Sequence, residues 1–399
     1  YKFEEGLKGL FIPGVLFEEL GFRYFGPFGG HDTNLLIKTL RNISHIKGPL
    51  LLHVVTKKGK GFPPAEKDPV LFHGTGPFDI QTGKGLSSKE LAGHKTYTEV
   101  FSEKLVELAG RNKRIIAITA AMPEGTGLDK FRDAYPERFF DVGIAESHAV
   151  CFAAGLSRAG LKPVVAIYST FLQRAYDQII EEVALQNLPC VFVLDRAGIV
   201  GEDGVTHQGI LDVAYLRTIP HLVLMAPKDG EELEEMLEFA IDSGKPCAIR
   251  YPKGKIPISN SKIPTKRIEP GKAEVFREGE DFALLALGSM FYLGLEAVEL
   301  LQKQGLSGTL INPRFVKPLD EDLFKAIAAK VKWVFTAEEA VADAGFGSAV
   351  AEILDGHLTR IGLPSVFIPH GKRELLLDKY GLTAQGIASK IKAVLKENG

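Results

Sequence analysis

From Lys95 onward, short apolar runs alternate with amphipathic stretches. The apolar runs predict buried strands at RIIAITAAM (114–122), VVAIYS (164–169), VFVLD (191–195), HLVLMA (221–226) and CAIRY (247–251). Between them, helical spacing predicts a helix over 147–160 that ends at its glycine, and a second helix with one apolar face over 172–183. Asp229 precedes a third, with Glu232 spaced as in a capping box. This alternation predicts a parallel sheet covered by helices.

Two stretches without periodicity divide the chain. Residues 252–271 are rich in Pro, Ser and Lys and indicate a linker, after which the alternation restarts as a second, smaller α/β domain. Its strands are predicted at FALLALG (282–288), TLINPRF (309–315), WVFTAEE (333–339) and VFIP (366–369), with helices near Leu295 and Ala326, from Gly347, and at the end. Residues 59–92 indicate another connector. The residues before it hold two helical pieces and one strand, LLLHVVT, which is too little for an independent core.

Length and composition limit the classes of partner. A chain of 399 residues with 45% hydrophobic and 25% charged residues is typical of a soluble protein of two or three domains. The 48 basic and 50 acidic residues nearly cancel, so no overall basic field favours nucleic acid or a membrane surface. The apolar runs are shorter than the ~20 residues of a membrane span. We therefore expect small molecules or other subunits as partners.

The three cysteines, Cys151, Cys190 and Cys247, lie beside apolar residues and form no CxxC pair. They predict buried, reduced thiols and a cytoplasmic location.

Two segments carry candidate chemistry. In DVGIAESHA (141–149), Glu146 stands where a strand gives way to a helix, at the sheet edge where ligands bind in α/β folds. The alternative is a carboxylate that only stabilises the helix N-terminus. GIVGEDGVTHQG (198–209) is a glycine-rich loop that places Asp203, Thr206, His207 and Gln208 close together. Such loops are more often functional than not, although Asp203 could simply stabilise a turn.

Taken in order, these motifs resemble thiamine-diphosphate enzymes of the transketolase superfamily. YSTFLQRAYDQ (168–178) and DRAGIVGEDGVTHQG (195–209) are similar to the 1-deoxy-D-xylulose-5-phosphate synthase family, and so are GHDTNLL, LLLHVVTKKGKG, PAEKDP, AIRYP and FIPHG. The resemblance implies a pyrimidine-binding domain at 93–255, a linker at 256–267 and a C-terminal domain at 268–399. Residues 1–92 would be the tail of a diphosphate-binding domain and its connector.

The resemblance also implies a reaction and its cofactor. Thiamine diphosphate with Mg²⁺ would decarboxylate pyruvate and join the remaining two carbons to D-glyceraldehyde 3-phosphate, at the start of the non-mevalonate isoprenoid pathway. Glu146 matches the family's glutamate beside the aminopyrimidine ring. Phe171 matches the aromatic residue that stacks on that ring, and Ile144 an apolar residue packed against it. For Phe171, ordinary core packing is the alternative.

Substrate-handling residues follow from the same resemblance. His207 and Asp203 match a polar pair beside the substrate, and His31 matches a histidine from the first domain. A group of four matches the residues that hold the acceptor's phosphate and the reacting intermediate: Tyr168, Arg174, Arg196 and Arg250. Guanidinium groups suit phosphate because they stay charged and can donate two hydrogen bonds, although either Arg196 or Arg250 could instead form an ordinary ion pair.

The sequence departs from the family pattern at three places. Ser147 stands where glutamine is common, and Gly30 where aspartate is common. The family's GDG motif, which belongs to its magnesium and diphosphate site, is absent, so we expect no metal site on this polypeptide. The chain begins at Tyr1, and we expect it to be a fragment that works with its own N-terminal domain. The alternative is a natural subunit like the pyruvate dehydrogenase β-subunit.

Other functions remain open. A transketolase is the alternative enzyme, since GEDGVTHQ occurs in both families. A regulatory or interaction module without catalysis is the third hypothesis. The family also implies a homodimer.

Overall fold

The computed structural model describes residues 14–73, 75–85, 95–257 and 267–397. The chain forms two compact units, Tyr1–Ala92 and Gly93–Gly399. Within the described ranges, none of the helices has the length and apolar character needed to span a bilayer.

The first unit is built on a two-stranded parallel sheet. Its elements are α1 (Val15–Glu19), β1 (Arg23–Gly29), α2 (Thr33–Ile43), β2 (Leu50–Val55) and α3 (Pro63–Lys67). The sequence pattern predicted β2 but not β1. Among the described residues of this unit, Ile43 and Ala65 are the only buried apolar side chains, so the unit has little core of its own.

The second unit contains twelve strands within its described residues: β3 (Ile115–Thr119), β4 (Phe139–Asp141), β5 (Lys162–Tyr168), β6 (Val191–Asp195), β7 (Val223–Met225), β8 (Cys247–Arg250), β9 (Glu274–Arg277), β10 (Phe282–Ala286), β11 (Gly308–Asn312), β12 (Phe315–Lys317), β13 (Trp333–Val341) and β14 (His357–Leu363). These strands form two sheets.

The α-helices of this unit are α4 (Tyr97–Arg111), α5 (Asp129–Ala134), α6 (Glu146–Arg158), α7 (Ser169–Leu172), α8 (Tyr176–Gln178), α9 (Asp212–Leu216), α10 (Gly230–Asp242), α11 (Met290–Gln302), α12 (Glu321–Ala328), α13 (Phe346–Ala351), α14 (Arg373–Lys379) and α15 (Ala384–Glu397). Short 3₁₀ turns occupy Pro136–Arg138, Gln173–Ala175 and Val205–His207, and a π-helical turn occupies Ile179–Ala184.

The larger sheet has the order β12-β7-β8-β6-β5-β3-β4, and its strands from β3 to β8 run parallel. Strands β3, β6 and β8 are buried along their whole length, because α6 covers one face while α4 and α10 cover the other. Continuous apolar strands of this kind are typical of a parallel sheet between two helical layers. The predicted α/β class is confirmed.

The smaller sheet has the order β14-β13-β10-β11-β9, with β9 antiparallel. The chain then returns to the larger sheet, because β12 pairs antiparallel with β7. The predicted single strand over 309–315 is therefore two strands, β11 and the start of β12, which belong to different sheets. The predicted strand at 366–369 is wrong, since those residues form no strand and β14 lies earlier.

Two further expectations are corrected. The amphipathic stretch 172–183 is not one continuous helix but a series of α, 3₁₀ and π-helical turns. All three thiols are free, and Cys190 and Cys247 are buried, but Cys151 is exposed on α6. Cys151 has apolar neighbours in the sequence, but these neighbours did not show that its own side chain lies on the exposed face of α6.

Buried ion pairs and hydrogen bonds connect the two sheets. Arg314, just before β12, reaches back to α10, where its Nε lies 2.8 Å from Glu232 Oε1, and its Nη2 lies 3.1 Å from Glu274 Oε2. Asn312 Nδ2 donates to the same Glu232 oxygen at 2.8 Å, and the Lys228 ammonium lies 3.4 Å from it. Glu232 is fully buried, so a cluster of donors compensates its charge.

Candidate active site

Glu146 begins α6 at the carboxyl end of the parallel strands. The turn before it is held by Asp141, whose Oδ1 accepts the backbone N–H groups of Ala121 at 2.7 Å and Gly143 at 2.9 Å. Gly143 has a positive φ of 72°, a conformation that glycine adopts without strain. The sharp turn therefore delivers the Glu146 side chain to the sheet edge, as the sequence predicted.

The carboxylate of Glu146 is 3% exposed, and its Oε2 atom accepts no hydrogen bond. The Nε atom of Arg174 lies 3.2 Å from Oε2, which makes an ion pair by distance but not a hydrogen bond by geometry. Buried carboxylate oxygens normally have hydrogen-bond partners. Glu146 therefore presents an acceptor that is available to a ligand.

Ser147 connects α6 to the neighbouring segment. Its hydroxyl donates to the carbonyl oxygen of Arg174 at 2.8 Å. This hydrogen bond links the 3₁₀ turn that carries Arg174 to the helix that carries Glu146. Ile144, just before that helix, is 77% exposed and offers a free apolar surface.

Three rings form the next part of the site. Phe171 stacks on Tyr168 with ring centroids 5.7 Å apart, and it meets His207 edge-on at 5.2 Å. His207 ends a 3₁₀ turn, and its Nδ1 shares a hydrogen bond of 3.0 Å with the hydroxyl of Thr206. Burial raises the pKa of Tyr168 to about 12, so its hydroxyl stays protonated near neutral pH. The structure thus brings together Tyr168, Phe171 and His207, as their motifs predicted.

The guanidinium carbon of Arg196 lies over the Tyr168 ring, 3.9 Å from its centroid. Its Nη1 donates to Asp195 Oδ1 at 2.8 Å and to the carbonyl oxygen of Gly125. Its Nε atom is buried without a hydrogen bond and lies 3.9 Å from Asp203 Oδ2. One edge of this guanidinium is therefore held by the protein, while Nε still lacks an acceptor.

Lys253 joins this group, although sequence reasoning did not single it out. Its ammonium lies 2.7 Å from Asp203 Oδ1, and its side chain is 43% exposed. Lys253, Arg196 and Gly125 border one open cavity of about 420 Å³. The only sequence clue was a second basic residue three positions after Arg250 in the loop that follows β8.

Arg250, to which the resemblance gave a phosphate role, is enclosed by protein groups. This residue ends β8 and is 4% exposed. Its Nε donates to Asp212 Oδ2 at 2.8 Å, and its Nη2 donates to the carbonyl oxygen of Glu339 at 3.1 Å. Arg250 therefore forms a buried contact between the two sheets, because the smaller sheet covers the end of β8.

His31 belongs to the first unit. It is exposed there, and its Nε2 accepts the backbone N–H of Lys57 at 2.7 Å, which leaves the proton on Nδ1. A side chain at Gly30 would come within 2.4 Å of Thr56 Cγ2 and 2.5 Å of Val54 Cγ1. The glycine in GGHD therefore suits the packing of this turn.

Among the described residues, no group of three or more His, Cys, Asp and Glu side chains is placed to hold a metal ion.

Comparison with known proteins identifies the class. Residues 94–259 match the transketolase pyrimidine-binding domain, residues 271–387 the transketolase C-terminal domain, and residues 1–56 the 1-deoxy-D-xylulose-5-phosphate synthase family model. A solved structure described as a split gene transketolase, inactive beta4 tetramer, is 32% identical with a TM-score of 0.68, and the match covers 76% of this chain and 99% of that one. The architecture is that of the transketolase-like enzymes, a family that implies thiamine diphosphate.

Two relatives identify the family within this class of enzymes. The 1-deoxy-D-xylulose-5-phosphate synthase of Magnetococcus marinus is 52% identical over 402 residues, which cover 99% of this chain and 64% of that protein. The synthase of Aquifex aeolicus is 50% identical, with 98% and 63% covered. The chain belongs to the 1-deoxy-D-xylulose-5-phosphate synthase family, as its motifs predicted. It spans less than two thirds of the length of these relatives.

Proposed function

We propose that this chain supplies the pyrimidine-binding and C-terminal domains of an enzyme that condenses pyruvate with D-glyceraldehyde 3-phosphate. Pyruvate would lose its carboxylate as CO₂, and the remaining two carbons would form a bond to the aldehyde carbon while the aldehyde oxygen takes up a proton. The product would be 1-deoxy-D-xylulose 5-phosphate. The observation that carries the proposal is the buried Glu146 carboxylate with an oxygen that lacks a hydrogen-bond donor.

The residues around Glu146 fit an aminopyrimidine. When bound, thiamine diphosphate supplies a carbon nucleophile that adds to pyruvate and accommodates the charge left by decarboxylation. Glu146 Oε2 would accept a hydrogen bond from the protonated ring nitrogen of the pyrimidine, and its burial would keep water from competing for that hydrogen bond. Ile144 and Phe171 would supply apolar surface, and Arg174 would keep a positive charge beside the carboxylate.

His207 would move the proton at the aldehyde oxygen. An imidazole ring can both donate and accept a proton, which suits it to this transfer. Because Nδ1 is engaged with Thr206, Nε2 is the atom available to the substrate. Asp203 would hold the Lys253 ammonium and the Arg196 guanidinium in place through its two carboxylate oxygens.

Arg196 and Lys253 would bind the phosphate of the acceptor, with the Tyr168 hydroxyl as a further donor. Support comes from the Nε of Arg196, which is buried without a hydrogen bond, and from the Lys253 ammonium, whose partner Asp203 also lies 3.9 Å from that Nε. The family's Mg²⁺ would be held by its diphosphate-binding domain, and a homodimer would be the assembly.

One observation favours a second candidate. This chain covers 99% of the split gene transketolase subunit, so a two-chain enzyme that uses ketose donors has the same pair of domains. Donor choice separates the two functions. Release of CO₂ from pyruvate in the presence of glyceraldehyde 3-phosphate supports the synthase, whereas turnover of ketose phosphates without CO₂ supports the transketolase.

Glu146→Gln in the full-length protein tests the central assignment. Turnover should fall by several orders of magnitude, because an amide cannot hold the ring-nitrogen proton as a carboxylate does. Thiamine diphosphate binding, measured by calorimetric titration with Mg²⁺, should remain measurable. Glu181→Gln, at an exposed position in the π-helical turn, is the control and should leave turnover unchanged. Normal turnover in Glu146→Gln would rule out this role.

A further inference from the structure

Gly125 lies in the loop between β3 and α5, at the contact between two proposed phosphate-binding residues. A methyl group placed on its Cα would lie 1.9 Å from the Tyr168 hydroxyl oxygen and 2.8 Å from the ring carbon that carries it. The backbone φ of Gly125 lies outside the left-handed region, so alanine would fit the backbone itself. What excludes a side chain here is the Tyr168 ring.

The Tyr168 ring has little room to retreat. It stacks on Phe171 with ring centroids 5.7 Å apart, and the Arg196 guanidinium carbon lies 3.9 Å from its own centroid. Displacing the ring would therefore disturb the guanidinium that lies on it. Gly125 acts on Arg196 directly as well, since its carbonyl oxygen accepts a hydrogen bond from Nη1.

A fully buried carboxylate completes this support. Asp195 Oδ1 accepts from Arg196 Nη1 at 2.8 Å, and its Oδ2 accepts from the hydroxyl of Thr98 at 2.7 Å. Asp195 and Gly125 therefore both hold Nη1 of the guanidinium, while Nε has no acceptor of its own.

We propose that Gly125 is a positioning residue for the phosphate of the acceptor aldehyde: the absence of a side chain seats the Tyr168 ring, and its carbonyl orients Arg196. The inference rests on the proposed function, because it assumes that Arg196 binds this phosphate. To that function it adds a role for Gly125, which sets how strongly the enzyme prefers a phosphorylated acceptor over an unphosphorylated one.

The test compares two acceptors in the full-length protein with pyruvate as donor. The ratio of kcat/KM for D-glyceraldehyde 3-phosphate to that for D-glyceraldehyde isolates the contribution of the phosphate. Gly125→Ala should lower this ratio by roughly tenfold or more, the loss expected for one misplaced charge-assisted hydrogen bond. The inhibition constant of inorganic phosphate should rise by a similar factor. Activity with unphosphorylated D-glyceraldehyde should change less than twofold.

Two controls separate positioning from general damage. Gly155→Ala lies in α6, where an added methyl group meets nothing within 4 Å, so it should leave the ratio unchanged. In a Tyr168→Ala background the ring that the methyl group would strike is gone, so adding Gly125→Ala should change the ratio less than twofold.

Each result decides between defined alternatives. An unchanged ratio in Gly125→Ala, or an equal loss with both acceptors, would overturn the inference while the proposed function stands. A full effect of Gly125→Ala in the Tyr168→Ala background would overturn the part assigned to the ring. A wild-type protein that does not distinguish the two acceptors would overturn the proposed phosphate site, and the inference with it.

Discussion

Arg250 and Lys253 lie three residues apart, and we predict opposite consequences when each is changed to alanine. Arg250→Ala removes the guanidinium from Asp212, a carboxylate that is 1% exposed. Leaving a buried charge without its partner lowers the free energy of unfolding by about 3–5 kcal/mol. The Val213 backbone N–H still donates to Asp212 at 2.8 Å, which favours the lower end, about 3 kcal/mol. At about 2–4 °C per kcal/mol, the unfolding midpoint should fall by roughly 6–12 °C.

Lys253→Ala should behave in the opposite way. Its ion pair with Asp203 is 43% exposed on the lysine side, and exposed pairs contribute only about 0.2–1 kcal/mol to stability. If its ammonium binds the acceptor's phosphate, the KM for glyceraldehyde 3-phosphate should rise about 10- to 100-fold, the loss expected for a hydrogen bond to a charged group. The KM for pyruvate should change little, and Lys253→Arg should recover most of the affinity.

The assay pairs thermal unfolding with steady-state kinetics for each acceptor and donor. Arg250→Lys keeps the buried charge and provides a folded variant should Arg250→Ala unfold at the assay temperature. The reasoning would be refuted if Arg250→Ala unfolded like the wild type and selectively raised the KM for glyceraldehyde 3-phosphate. That outcome would restore the phosphate role that the sequence resemblance implied.

Two further predictions concern groups outside the site. Burial raises the pKa of Glu338 to about 7, although the backbone N–H groups of Phe346 and Gly347 donate to it. Since the folded protein then keeps a proton that the unfolded chain releases near pH 4.5, the free energy of unfolding should fall as the pH rises from about 4.5 to about 7, by up to ~3 kcal/mol. When the free energy of unfolding is measured with denaturant at several pH values in this range, it should change less with pH in Glu338→Gln than in the wild type. An equal change would contradict the raised pKa of Glu338. In thiol labelling with a coloured disulfide reagent, the folded protein should present one fast thiol, Cys151, and denaturant should expose all three; fast labelling that persists in Cys151→Ser would be inconsistent with the buried positions of Cys190 and Cys247.

Local pattern predicted β3, β5, β6, β7 and β8 of the larger sheet, because each is an apolar run bounded by polar turns, but it missed the short, partly exposed β4. It could not predict the partner of β12, since Phe315–Lys317 has an ordinary strand pattern and its pairing with β7 depends on residues about 90 positions away. The same limit explains the break in the helix after Tyr168. The apolar spacing there is helical, but the 3₁₀ turn at Gln173–Ala175 is held from outside, by the bond from Ser147 to the Arg174 carbonyl.

The candidate site, too, could be predicted from the sequence only in part. Glu146 and His207 could be located from sequence because a strand-to-helix turn and a glycine-rich loop both leave their side chains at the carboxyl edge of a parallel sheet. Local pattern could not show which cation reaches that edge. In IRYPK, Arg250 is the more attractive phosphate ligand by chemistry, yet it ends a strand that the smaller sheet covers, whereas Lys253 stands in the exposed loop beyond it.

Burial therefore decides which charges are left for substrate. Arg250 and Arg314 are each enclosed between the two sheets, where buried carboxylates or carbonyl groups take up their donors. Arg196 differs because the protein binds one edge of its guanidinium and leaves Nε without an acceptor. A donor left unpaired at low exposure is unfavourable unless a ligand completes it. Glu146 Oε2 likewise accepts no hydrogen bond, although Arg174 Nε lies 3.2 Å from it. Under the proposed function, the cofactor ring and the acceptor's phosphate would supply partners to these two atoms.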